Sequence, residues 1–214
     1  MTYLEIVNNI LRRLRERTVS TVNETAYSTL IGVLVNDAKE ECENAWNWSA
    51  LRTTLSATTV SGTFNYELNG TKNRFKVLDV VNDTSNFFMT YRTASDFNNW
   101  FLNQTPAYGT PRYYSFNGIS SDGDTQVDLY PIPNGAYDLR FNVVMPQAEL
   151  TADSSVLLIP EKPVQMLAYA KAVEERGEDG GASANSAYAT AQRALNDAIS
   201  FDSAKHPEEI IWTV

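Results

Sequence analysis

Helical and strand periodicities do not mix along this chain. They occupy separate blocks, and that segregation limits the fold more than any single residue. Leu4, Val7, Leu11 and Leu14 recur at helical spacing, with Ile6 and Ile10 beside them. A second helix is predicted from about Ala26 to Leu51, striped by Tyr27, Leu30, Ile31, Leu34, Ala38, Cys42, Ala45 and Trp46. Asp37, Lys39, Glu40, Glu41 and Glu43 read as its solvated face. From Arg52 the period falls to two. Thr53 to Val60 is Thr-rich, and Phe64, Tyr66 and Leu68 alternate with polar residues. Asn69-Gly70 then predicts a hairpin turn into a return strand at 75–81. Further strands are expected at 87–91, 113–116, 126–130 and 138–144, with a short helix from Ser95 to Leu102 capped by Ser95. Helical spacing resumes at Pro160 on Val164, Leu167, Ala168 and Ala172 and breaks at Gly177. It returns over 182–201 on Ala184, Ala187, Tyr188, Ala191, Ala194, Leu195 and Ala198.

The simplest α+β fold joins the two helical ends into one bundle, 1–51 with 160–201. An antiparallel β domain, 52–159, is inserted between them, and 202–214 forms an extended tail.

Chemistry is scarce. With one Cys and one His, the chain supports neither a disulfide framework nor a Cys/His metal site. Cys42 sits on an apolar stripe and His206 in the tail, so no nucleophile–base pair is indicated. Asp122-Gly123-Asp124 and Asp128 lack the distal Glu of a calcium loop and read as a turn. No catalytic residue, cofactor or metal is therefore predicted, and the chain is not read as an enzyme. Seventeen basic against 26 acidic residues give a net charge of −9, which argues against a basic grip on nucleic acid. The excess is uneven: −2 over 1–51, −2 over 52–150 and −5 over 151–214. No window reaches the roughly 18 apolar residues of a membrane span. The start lacks a secretory pattern, so synthesis in a reducing cytoplasm is expected.

Three surface features remain. Trp46-Asn47-Trp48 is either a sugar-stacking platform or, the preferred reading, a junction between helical and β blocks. Arg12, Arg13, Arg15 and Arg17 either touch DNA or, as preferred, pair with an acidic neighbouring surface. Ile210-Ile211-Trp212 is an apolar run on a polar tail, which either docks on a partner or folds back. Ile210, Ile211, Trp212, Arg12 and Arg13 are thus the candidate partner-binding residues.

Two stretches carry a resemblance. Thr2-Tyr3-Leu4-Glu5-Ile6-Val7-Asn8 leads into Val35-Asn36-Asp37-Ala38-Lys39-Glu40-Glu41-Cys42-Glu43 and Trp46-Asn47-Trp48-Ser49-Ala50-Leu51-Arg52. Leu129-Tyr130-Pro131-Ile132-Pro133 is followed by Tyr137, Pro146, Leu150 and Ile159-Pro160. Together they resemble the head-to-tail adaptor (connector) proteins of short-tailed bacteriophages, often called tail tubular protein A. The resemblance implies a structural virion protein of the neck, assembled in the host cytoplasm. It implies a ring, commonly of twelve copies, between the portal protein and the tail nozzle protein. Tail fibres attach below, and double-stranded DNA passes through the ring unheld. An alternative from another class is a β-rich adhesion or glycan-binding module using the aromatic segment 87–116.

Overall fold

The computed structural model describes residues 1–71, 74–177 and 182–205. It is an α+β fold in two compact units: Met1–Leu51 with Gln147–Val214, and Arg52–Pro146.

The first unit is helical. α1 (Tyr3–Arg13) starts from a capping box in which Thr2 and Glu5 satisfy each other's backbone N–H groups. It buries Ile6, Val7, Ile10 and Leu11. α2 (Ala26–Ala45) starts from a Thr25–Ser28 cap. At its Gly32 an added Cβ would clash with the Tyr3 hydroxyl and lie 2.8 Å from Val22, so α1 and α2 approach where only glycine fits. α4 (Glu161–Arg176) has Pro160 at its N-cap and ends on Gly177, whose φ of +63° suits a left-handed cap. α5 (Ala182–Ser203) packs on α4, burying Ala184, Ala191 and Ala194.

Two helical expectations change. α2 ends at Ala45, not near Leu51; Trp46 is extended, and Ser49–Leu51 forms a single 3-10 turn. The cause is Trp48, which is fully buried and donates from Nε1 to the Cys42 carbonyl at 2.7 Å, satisfying an acceptor at the helix end. Lys39 and Glu43 are also not solvated. They are 3% and 4% exposed, paired at 3.3 Å, and both bind the backbone of Gln147. Asn36 on the same helical face binds both the N–H and the carbonyl of Leu150. Residues 147–159, expected with the β block, thus lie in the helical unit. There they also hold the N-terminus, through Tyr3 N–H to the Ser155 carbonyl (2.8 Å) and Leu157 N–H to the Met1 carbonyl (3.1 Å).

The second unit is a sandwich of two four-stranded sheets. One has the order β1 (Arg52–Thr58), β10 (Asp138–Val144), β3 (Lys76–Asn82), β4 (Phe87–Phe88). The other has the order β2 (Asn65–Leu68), β8 (Thr125–Tyr130), β7 (Tyr113–Ile119), β5 (Thr90–Tyr91). A small parallel pair, β6 (Tyr108–Gly109) and β9 (Ile132–Pro133), lies beside them. Leu68, Val127 and Leu129 from one sheet share a core with Val80, Leu139, Phe141 and Val143 from the other. β5 runs parallel to β7, so the second sheet is mixed, while the first is antiparallel throughout.

The expected Asn69-Gly70 hairpin is not formed: β2 pairs with β8, and β3 pairs with β10 and β4. Seven residues separate Leu68 from Lys76, too many for a two-residue turn, and the segment carries the chain from one sheet to the other. Strand 87–91 likewise divides at Met89, with β4 in one sheet and β5 in the other. α3 (Ala94–Leu102) is capped by Thr93, whose Oγ1 accepts from Asp96 N–H at 3.3 Å, rather than by Ser95.

Candidate interaction surfaces

Cys42, Asp124 and Asp128, the groups singled out for possible chemistry, are engaged in the structure. The Cys42 thiol is buried, and burial, with Glu41 and Glu43 nearby, pushes its pKa up to about 12, far from a reactive thiolate. His206 lies outside the described residues. Asp124 accepts from Gly70 N–H at 2.8 Å, and Asp128 from the Asn65 amide at 2.7 Å. Burial raises the Asp128 pKa. Among the described residues no cluster of three or more His, Cys, Asp or Glu could hold a metal ion.

The aromatic features are also internally engaged. Trp48 is core, and the half-buried Trp46 donates from Nε1 to Asp202 at 3.1 Å, which fixes its indole against the end of α5. In the β unit Trp100 stacks on Tyr130 with centroids 4.5 Å apart, and Tyr113 and Phe97 pack against Trp100. Phe88, Tyr91, Leu102 and Tyr108 remain exposed.

Asp202 anchors the end of α5. Its side chain is 5% exposed and accepts from Ser49 N–H (2.9 Å), the Ser49 hydroxyl (2.5 Å), the Trp46 indole and Lys205 Nζ (3.1 Å). Burial works against the charge, but these donors, Ser49 foremost, prevail and lower the pKa from 3.8 to about 2. A depressed carboxylate pKa stabilises the fold above the unfolded value and loses that contribution as pH falls through the folded one. The helical unit is therefore expected to weaken between about pH 4 and pH 2. Asp202→Asn is expected to cost about 2 kcal/mol at pH 7 and to flatten the dependence across that window. Urea midpoints measured from pH 2 to pH 7 check both; an unchanged slope in the variant would assign the acid sensitivity elsewhere.

Of the sequence-predicted partner residues, Arg12 and Arg13 lie exposed in the last turn of α1, where cations suit the helix dipole. Arg12 donates to Asn9 at 2.8 Å, and Arg13 approaches the Met166 sulfur at 3.7 Å. Neither makes an ion pair among the described residues. Ile210, Ile211 and Trp212 lie outside the described residues. Two surface features were not anticipated from sequence. One is an apolar groove of about 390 Å³ lined by Cys42, Pro163, Leu167, Tyr188, Ala191 and Leu195. The other is the outer edge of β1, which carries no partner strand among the described residues. The groove is signalled by the alanine spacing of α5; the edge has no local signal, since strand order is a long-range property.

A family model described as SU10 adaptor protein matches residues 1–208, spanning both units. No curated protein matches the chain.

Proposed function

We propose, from the premise that this chain belongs to the SU10 adaptor protein family and is a phage head–tail adaptor, that it forms a closed ring between the portal and the tail nozzle. The family membership makes the chain a structural virion component of the neck, with portal and tail proteins as its partners. The finer reading is a tail tubular protein A-like adaptor, commonly of twelve copies, assembled in the host cytoplasm, with DNA passing through and fibres attached below. The observation that carries the adaptor reading, on which this finer one builds, is the match over residues 1–208, which takes in the helical and β units together.

The charge distribution supports a conduit. Residues 151–214 hold five basic and ten acidic side chains, and Glu161, Glu174 and Glu175 on α4 are exposed, as are Asp37, Glu40 and Glu41 on α2. A surface of that sign repels phosphates and lets a duplex pass without being held. Arg12 and Arg13 offer a complementary patch on the same unit, and a heterologous ring joins two different patches around its circumference. In this reading Ile210, Ile211 and Trp212 dock on the portal or on an adjacent copy. Electron microscopy of the purified chain mixed with portal-bearing capsids tests the ring: closed rings at the portal vertex are expected. A chain that stays monomeric in the presence of portal would overturn the reading.

A further inference from the structure

The β1 edge is unlike the other edges of the sandwich. Terminal strands β2, β4 and β5 have four, two and two residues, too short to template a new strand well. β1 has seven, and its register with β10 runs unbroken from Arg52↔Val144 to Thr58↔Asp138. Between its ends stand Thr53, Thr54, Leu55, Ser56 and Ala57, with no Pro, Lys, bulge or inward charge to deter pairing. Leu55 and Ala57 pack against the core yet stay only partly covered, so the sandwich wall is open along this side.

The same chain carries a segment suited to close it. Glu209-Ile210-Ile211-Trp212-Thr213-Val214 has five β-branched or aromatic residues in six and no Pro or Gly. Extended, it puts Ile210, Trp212 and Val214 on one face, matching the alternation that leaves Leu55 and Ala57 half covered. Each copy thus holds one strand-forming segment and one unblunted edge. A heterologous ring uses such a set completely, since every edge receives a neighbour's strand and none is left over. We infer that residues 209–214 of one subunit add as a strand to the β1 edge of the next, an interaction that rests on the ring reading above. Backbone hydrogen bonds supply the pairing, and the Ile210–Trp212–Val214 face supplies the apolar seal over Leu55 and Ala57.

Cysteine pairs in the full chain test the inference, because the native Cys42 is buried and stays silent. Thr54→Cys is combined in turn with Ile211→Cys and Thr213→Cys, and rings formed on portal-bearing capsids are oxidised. Non-reducing gels are expected to show a ladder of disulfide-linked subunits, absent from the single-cysteine variants. Ile211→Pro, which removes a ladder donor, is expected to lower ring occupancy at least tenfold while leaving the melting midpoint of the free chain unchanged. Cross-links confined within one chain, absent altogether, or formed with portal alone would overturn strand donation while leaving the ring intact. So would wild-type occupancy in Ile211→Pro. A wild-type chain that forms no ring would remove the ring reading itself, and the inference with it.

Discussion

Lys39→Ala is expected to cost the helical unit about 3 to 5 kcal/mol, because it strands a buried carboxylate without its cation. The two side chains are 4% and 1% exposed, and water does not reach the charge left behind. The pair also receives the chain on its return from the β unit. Lys39 Nζ donates to the Gln147 carbonyl at 2.7 Å, while Gln147 N–H donates to Glu43 at 3.2 Å. Lys39→Met with Glu43→Leu removes both charges, and is expected to cost about 2 kcal/mol, the price of two unmatched backbone groups at Gln147. The ordering, single worse than double, identifies a desolvated pair. Urea titrations read by circular dichroism decide it. A single-variant loss below about 1 kcal/mol, the range of exposed ion pairs, would mean that the pair is hydrated in solution.

Trp48→Ala is the second large loss, about 3 to 5 kcal/mol, from a fully buried indole truncated to a methyl group. Trp48→Phe separates two contributions. It keeps most of the apolar volume but leaves the Cys42 carbonyl without its 2.7 Å donor, and is expected to cost about 2 kcal/mol. The loss should appear in the helical unit, whose α2 terminus the indole closes. A Phe variant as stable as the wild type would put packing, not the hydrogen bond, in control of where α2 stops.

The helices at both ends were legible because each buries a stripe set by local spacing. The alanines of α5 and the Gly177 stop are cases where sequence and structure coincide. Helical spacing places Lys39 and Glu43 on the solvated face, and the structure buries them for a physical reason. Their burial depends on a segment more than a hundred residues later, and helical spacing carries no record of what returns to cover a face. Asn36, Lys39 and Glu43 do lie at i, i+3 and i+7 beside Val35, Ala38 and Cys42, a polar row along the margin of the apolar stripe. Strand pairing was less legible. Asn69-Gly70 is a local turn signal, but Leu68 and Val80 reach the same core from opposite sheets, so the turn serves a crossing instead of a hairpin. Of the candidate partner residues, Arg12 and Arg13 lie exposed at the end of α1, while the β1 edge appears only once β10 is known to lie between β1 and β3.

The pairing of β1 with β10 also settles how cheaply the β unit is carried. Ninety-five residues, Arg52–Pro146, interrupt the helical unit. Left as a flexible loop, that length would raise the closure cost by about 3 kcal/mol over a four-residue connection. The ladder removes most of that cost, since Arg52 lies opposite Val144 and the outgoing and incoming chains stand one strand spacing, about 5 Å, apart. To the helices, the whole insertion has the closure entropy of a tight turn. Its length and its loops are then free to change without loosening the bundle that bears it.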